Sequence, residues 1–345
     1  MSLGLPEKDA TGDAAIIFAN RFFFPDHSAT SQMVSDLAFH LAGKGRRVRV
    51  IASRGIYDDP SALLPEFETI NGVEIHRVSK PRFGRSSIAG RAADYLAMYK
   101  AFAAAAARIG RAGDFLVAKT DPPLLSVALA PVARLKNLKL VNWLQDLYPE
   151  VALGLGMNSL KLIAPLLTAL RDASLRAATT NVSIGEIMDE RLARIGIDAN
   201  HRVVIPNWCD DQKITTAFYR DNRLRHEWGL DEKFVVGYSG NLGRAHEYQT
   251  ILDAAERLRE HTDIVFLFVG GGHLTGPLKA DVAARKLDSF LFRPYQDAEA
   301  LPLSLTLPDV HWLSLEPAME GLIVPSKFYG IAAAGRPTIA VTAGD

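Results

Sequence analysis

The chain has 345 residues, about twice a comfortable single-domain length of roughly 150, and its 48% hydrophobic and 23% charged residues suffice for two ordinary cores. Lys plus Arg (39) cancels Asp plus Glu (39), which argues against a nucleic-acid partner held by a global positive field and makes any charge-driven contact local. The single cysteine, Cys209, excludes an internal disulfide framework and an all-cysteine zinc site.

The opening, residues 1–12, is polar and unlike a secretory signal, and the longest apolar stretches, such as 162–170, fall short of the ~18 residues a membrane span needs. The chain therefore reads as cytoplasmic. Short β-branched or apolar runs follow at 14–19, 48–52, 73–78, 115–118, 140–144 and 182–184, separated mostly by helical patterns of a dozen or more residues. Strands alternating with helices call for parallel sheets covered on both faces. After 203–205 comes Pro206-Asn207-Trp208, and the alternation restarts at 234–239, 264–269, 310–315 and 338–341. The economical reading is α/β, with two doubly wound Rossmann-like domains at 14–205 and 206–345. Ligands of such sheets sit at the carboxyl ends of strands, so the loops after each run carry the information.

The stronger signals lie in the second half. The apolar run ending at Ser239 is followed by Gly240-Asn241-Leu242-Gly243-Arg244 and a helix predicted from about 247 to 260. Glycines there let backbone approach a ligand, and the helix presents free N–H groups to an anion; a tight turn is the alternative. Val269-Gly270-Gly271-Gly272 repeats the pattern, and two such loops on one sheet suit a nucleotide. In the segment 316–337, Ser326 is a natural N-cap and Gly335 a natural stop for a short helix. That helix would start beside Lys327, after a loop carrying Glu320, an arrangement suited to a sugar hydroxyl next to a pyrophosphate. A capped surface helix with solvated charges is the plainer alternative.

Taken in order, these segments resemble the retaining glycosyltransferases of family 4, which have the two-domain GT-B fold, and in particular their bacterial surface-polysaccharide branch. The resemblance runs over residues 14–345. It rests on Val204-Ile205-Pro206-Asn207, the 239–244 turn, the glycine loop 270–272, Glu320-Gly321 and the stretch from Pro325-Ser326-Lys327 to Ala334-Gly335-Arg336-Pro337. It implies a nucleoside diphosphate sugar held mainly by the second domain. Glu320 falls on the family's first acidic position and would accept hydrogen bonds from the donor sugar. The amides of Leu322, Ile323 and Val324 and the helix after Ser326 would hold the pyrophosphate, while Gly270, Gly271 and Arg293-Pro294-Tyr295 would surround the base. The chain also departs from the family. The second acidic position falls on Gly330, and the usual Arg and Lys phosphate pair falls on Asn241 and His246, leaving Arg244 and Lys327 as cations. The family continues past the strand at 338–341 with a helix that crosses back to the first domain, so a truncated form is expected here.

By the same resemblance, the first half binds the acceptor. In Phe24-Pro25-Asp26-His27-Ser28-Ala29, Asp26 and His27 would orient a hydroxyl beside the small Ser28; a turn with an N-cap at Ser28 is the alternative. Trp143-Leu144-Gln145-Asp146-Leu147-Tyr148-Pro149-Glu150 resembles the family's His-Asp-x-x-Pro loop with glutamine for histidine. Asp146 and Glu150 are its carboxylates for hydroxyl activation, and either could instead be a cap or half of an ion pair. The segment 80–111 sets Lys80, Arg82, Arg85, Arg91, Lys100, Arg108 and Arg111 against one acid, Asp94, with Tyr95, Leu96, Met98, Tyr99 and Phe102 as apolar surface. This suits either an anionic membrane surface or an ordinary helix with a solvated basic face. The stretch 160–175, with Lys161, Arg171 and Arg176, extends that patch or belongs to the core.

The expected function is thus a retaining, metal-independent hexosyl-type glycosyltransferase with no cofactor, since no Asp-x-Asp signature follows a strand. Its catalytic residues would be Asp146, Glu150 and Glu320. It would move sugar from a nucleoside diphosphate to a glycan or lipid-linked acceptor, with peripheral contact to the inner face of the plasma membrane and no nucleic acid. A GT-B nucleotide-sugar epimerase, and a degenerate nucleotide-sugar-binding or partner module, are the rivals. Gly330, Gln145 and the early end favour the module; the Glu320 loop and the basic segment favour the transferase.

Overall fold

Runs of Val, Ile, Leu and Phe long enough for one buried strand each, bounded by turn residues, give the sheets of this chain. The computed structural model describes residues 14–57, 59, 61–79, 88–211, 214, 222–297 and 299–343. The chain divides into two units, Met1–Leu153 with Met157–Pro206, and Gly154–Gly156 with Asn207–Asp345.

The first unit carries β1 (Ile16–Ala19), β2 (Val48–Ser53), β3 (Phe67–Ile70), β4 (Val73–Val78), β5 (Phe115–Lys119), β6 (Lys139–Trp143), β7 (Thr180–Ser183) and β8 (Arg202–Val204). They form one sheet in the order β3-β4-β2-β1-β5-β6-β7-β8, parallel throughout except for the antiparallel edge pair β3–β4. The strand order reverses at β1, which pairs with β2 on one side and β5 on the other. Doubly wound sheets bind ligands at such a switch point, beyond the strand ends. Ile17, Phe102, Leu116, Leu129 and Leu140 lie in the main core of this unit.

The basic segment of the sequence falls largely on the helix Ile88–Ile109. Its Met98 and Phe102 are buried in the core with Tyr99 packed against them, so these three face the sheet and offer no apolar surface to a membrane, contrary to expectation. Leu96 alone of the five is largely exposed, at 60%, while Lys100, Arg108 and Arg111 point to solvent. Lys80, Arg82 and Arg85 lie outside the described residues, as does the side chain of Arg91. The helix Ala164–Ala177 is both core and surface: Arg171, Ser174 and Leu175 are buried, whereas Leu166 and Leu170 on it, and Leu162 one turn before, are exposed.

The second unit carries β9 (Phe234–Asn241), β10 (Ile264–Gly271), β11 (Phe290–Arg293), β12 (Val310–Ser314) and β13 (Thr338–Val341), ordered β11-β10-β9-β12-β13 and parallel throughout. Its core is aromatic, with Tyr238 stacked on Phe268 at 5.3 Å and Trp312 tilted against both. The strand order reverses at β9, between β10 and β12. Two strands, β3 and β11, were not foreseen from the sequence. The helix expected at 247–260 is shorter, Gln249–Arg257. Ser326 stands at the N-cap position of the helix Lys327–Ala333, as the sequence predicts, but with helical angles (φ −62°, ψ −21°) and no capping bond through its side chain. No described helix is long and apolar enough to cross a membrane.

Candidate functional site

In the second unit, β9 and β10 stay in register into their glycines, Gly240 opposite Gly270 and Asn241 opposite Gly271. Gly270 has φ +131°, and a Cβ there would collide with the Gly240 carbonyl, so the neighbouring backbone already demands glycine. The two loops are laced together by Leu242 N–H donating to the Gly271 carbonyl (2.7 Å) and Leu274 N–H to the Leu242 carbonyl (3.0 Å). Gly240, at φ +121°, leaves room for Lys327, whose Cε would lie 2.9 Å from a Cβ at that position.

Lys327 therefore lies across the turn that ends β9. Its Nζ is 3.3 Å from His246 Nε2 and 5.3 Å from the centre of the Tyr238 ring. No carboxylate among the described residues pairs with it, and burial lowers its pKa to about 8. An ammonium held out of water without a counter-ion is costly, which makes this spot receptive to an anion. Arg244 is exposed nearby in sequence and makes no ion pair among the described residues. Glu320, half-buried, forms an isolated bridge with Ile323.

Two of the three amides expected to hold a pyrophosphate are already used. Leu322 N–H and Ile323 N–H both donate to the Met319 carbonyl, at 3.0 and 3.3 Å, and Phe328 N–H in the first turn of the following helix donates to the Pro325 carbonyl at 3.2 Å, so of the three only the Val324 amide has no backbone acceptor among the described residues. At the far side of the glycine loops the Tyr295 ring covers Gly271, where a Cβ would stand 3.2 Å from it, and Tyr295 is 58% exposed. Pro294 is exposed, and the Arg293 guanidinium lies over the Trp228 ring at 5.4 Å.

In the first unit the residues picked from the sequence part company. Asp26 is buried and committed to its own turn: it accepts hydrogen bonds from Ser28 N–H (2.8 Å), Ser28 Oγ and Tyr57 N–H (2.6 Å). Asp26 and Ser28 thus build the loop after β1 and are not free for an acceptor hydroxyl; His27 is exposed beside them. Ser28 does precede the helix Ala29–Gly43, but its hydroxyl does not cap it. Glu150 is likewise taken, clasped by Arg171 through both oxygens (2.7 and 3.0 Å). It is half of an ion pair, and of the two carboxylates only Asp146 keeps a free hand.

Asp146 sits at the end of β6 with one long hydrogen bond, 3.4 Å, from Thr120 Oγ1, which itself accepts from Gln145 N–H. Burial, reinforced by the nearby Asp121 charge, raises its pKa to about 6. Asp121, half-buried after β5, is raised to about 6 as well, by burial above all. Two residues before Asp121, at the end of β5, lies Lys119, 2% exposed, its Nζ 3.1 Å from the Thr30 carbonyl and 4.1 Å above the Trp143 ring. Burial lowers its pKa to about 7 against the pull of both carboxylates. A cavity of about 20 Å³, large enough for a single water, is lined by Lys119, Thr120, Asn142, Asp146, Tyr148 and Arg171. The sequence reading overlooked Lys119, Thr120 and Asp121, although the run Lys119-Thr120-Asp121-Pro122-Pro123 directly follows a strand, where ligand-binding loops are sought. A carboxylate titrating near neutrality at a strand end is equipped to take a proton. Among the described residues no three His, Cys, Asp or Glu side chains gather as a metal site.

The sequence profile of the family described as "Glycosyl transferase 4-like domain" matches residues 28–208. WcaI of Escherichia coli K12, a glycosyl transferase assigned to colanic acid biosynthesis, is 28% identical over 209 residues, covering 59% of this chain and 51% of WcaI. The chain spans about half the length of the curated relatives it matches. Among solved structures, sucrose-phosphate synthase from Thermosynechococcus elongatus superposes with a TM-score of 0.71 at 17% identity, covering 95% of this chain and 81% of that one. Anabaena Alr3699/HepE, crystallised with UDP and glucose, gives 0.66 at 15% identity, covering 95% and 80%. These likenesses establish the fold as that of GT-B glycosyltransferases, with two Rossmann-like halves.

Proposed function

The chain belongs to the glycosyl transferase 4-like family, and from that premise we propose that it transfers a sugar, with retention, from a nucleoside diphosphate sugar to a glycan or lipid-linked acceptor in surface-polysaccharide synthesis. The observation that carries the donor half is Lys327, an ammonium without a carboxylate partner among the described residues, laid across the Gly240 turn. A diphosphate there gains a charge-assisted contact and compensates a desolvated cation. The UDP and glucose bound by a GT-B neighbour lend the same reading support. In this role Lys327 and Arg244 offset the charge of the departing diphosphate without a metal ion, Glu320 holds sugar hydroxyls, and Tyr295 over Gly271 offers a face to the base.

On the acceptor side Asp146 is the proposed proton acceptor. As the acceptor oxygen bonds to the anomeric carbon and the bond to the diphosphate breaks, the hydroxyl proton passes to its carboxylate. Lys100, Arg108 and Arg111, with whatever the residues outside the description add, are proposed to hold the cytoplasmic enzyme reversibly at an anionic membrane where lipid-linked acceptors reside.

Thermal shifts across a panel of nucleoside diphosphate sugars, diphosphates and nucleosides test the donor half. Diphosphates should raise the midpoint and nucleosides should not, and Lys327→Met should abolish the difference. A panel in which no diphosphate stabilises the chain would remove the donor site.

A further inference from the structure

His246 falls on the position where the family's phosphate-binding lysine is expected, yet the structure turns it inward. Its Nδ1 lies 2.7 Å from the Ser314 carbonyl. A carbonyl can only accept, so Nδ1 carries the proton, and in the neutral ring Nε2 presents a lone pair. That lone pair is what Lys327 Nζ meets at 3.3 Å. Ser314 is fully buried at the end of β12, and its hydroxyl donates to the Glu247 carbonyl, which fixes the frame from both sides. Tyr238 completes the support, edge-on to the imidazole (6.0 Å, 84°) and face-on beneath the ammonium.

A ring in this state brings no positive charge to a phosphate. Burial and the adjacent Lys327 push its pKa down to about 4, against the opposing pull of the Ser314 bond, so it stays neutral under ordinary conditions. A lysine is a point charge on a flexible four-carbon stem, and without a support it samples many directions. We infer that His246 is a positioning residue for Lys327 rather than a phosphate ligand: the bond from Nδ1–H to Ser314 fixes the tautomer whose Nε2 lone pair holds the ammonium over Gly240, facing a diphosphate. This rests on the donor-site reading of Lys327. The lysine expected at this position is in this way replaced by a neutral prop for a lysine supplied by another segment.

The test uses the full chain, ¹⁵N-labelled at histidine, and inorganic pyrophosphate as the probe, so that the identity of the base does not matter. The His246 nitrogens should show the Nδ1–H tautomer between pH 6 and 8 on the order of side-chain titration ranges. By calorimetry His246→Leu should weaken pyrophosphate binding about tenfold, as for one lost hydrogen bond to a charged group. His246→Gln, whose side-chain carbonyl still offers Lys327 an acceptor, should stay within about threefold of the parent. A purely structural role would not distinguish Gln from Leu in ligand affinity at equal thermal stability. An Nε2–H tautomer overturns the inference whatever binds. Equal affinity of parent and His246→Leu overturns it and leaves the donor site standing. Failure of the parent to bind pyrophosphate, with the expected tautomer present, overturns the donor-site reading and the purpose assigned here to His246. The tautomer is read on the parent, so a His246→Leu chain that fails to fold leaves the inference decidable.

Discussion

The guanidinium of Arg171 holds both carboxylate oxygens of Glu150, with its two terminal nitrogens at 3.0 and 2.7 Å. The same guanidinium also donates to Asp172 and to the Tyr148 carbonyl, so it ties the loop after β6 to the helix Ala164–Ala177. Glu150→Gln should therefore cost stability, about 1 to 3 kcal/mol for a nearly buried cation losing a charged partner, and change turnover little once folded. Asp146→Asn should do the reverse, holding or raising the melting temperature at neutral pH because burial already opposes the charge it removes, and lowering turnover by about 10²- to 10⁴-fold. Because a base must be ionised and Asp146 is raised to about 6, turnover of the parent should fall as pH drops through that value. Paired denaturation and rate measurements on the two variants decide the assignment.

Lys119 gives a stability prediction with a definite sign. Its folded pKa is lowered to about 7 from an ordinary 10.5, so folding opposes its charge. The penalty is fully present below pH 7 and fades as pH rises toward 10.5. Lys119→Met, which keeps the stem and removes the charge, should stabilise the protein at pH 6 by about 1 to 3 kcal/mol. The advantage over the parent should shrink at pH 9 to 10, an interval set by the ordinary lysine value. Urea titrations at the two pH values measure it, and an advantage that grows with pH would contradict the burial argument.

Glycine at 270 is demanded by the protein itself. Gly270→Ala should destabilise the second unit by about 2 to 4 kcal/mol, combining left-handed backbone strain with a collision against Gly240. Gly276, within the helix Thr275–Ala284 and with open space at its Cβ position, is the matched control. Gly276→Ala should be neutral or stabilising by up to about 1 kcal/mol. Comparable losses at both positions would show that the interlaced loops carry no special constraint.

Membrane contact, if made by the described side chains of the helix Ile88–Ile109, has to be mostly charge, because Met98, Tyr99, Phe102 and Ile109 pack into the core and Leu96 is the largely exposed one of the large apolar side chains described there. Co-sedimentation with anionic vesicles should vanish in ~0.5 M salt, where screening lengths drop to a few ångströms, and in the triple variant Lys100→Glu, Arg108→Glu, Arg111→Glu. Binding that survives salt would instead point to the exposed row Leu162, Leu166 and Leu170.

The sequence disclosed most strands because each is a short apolar run between turn residues, a local property. It hid β3, whose Phe-Glu-Thr-Ile alternation is that of a half-exposed edge, and β11, only four residues long. It also hid the partnerships that decide which site residues are free. Glu150 and Arg171 lie 21 residues apart and His246 and Lys327 lie 81 apart, so nothing near either acid or imidazole in the sequence tells whether it is spoken for. Lys119 reads as the polar end of a strand. Its burial comes from Trp143 on the next strand and the Thr30 carbonyl on a helix 89 residues away.

The stitching of the two glycine loops has a thermodynamic corollary. A floor already knotted by Leu242 and Leu274 has little backbone disorder left to surrender when a ligand lands, so association should show a small conformational-entropy loss and fast on-rates. Discrimination among sugars or bases then cannot come from loops remoulding themselves around each candidate. It should reside in the exposed side chains that follow the strands, Arg244 and Tyr295, and these are the positions at which a change of preference should first be sought.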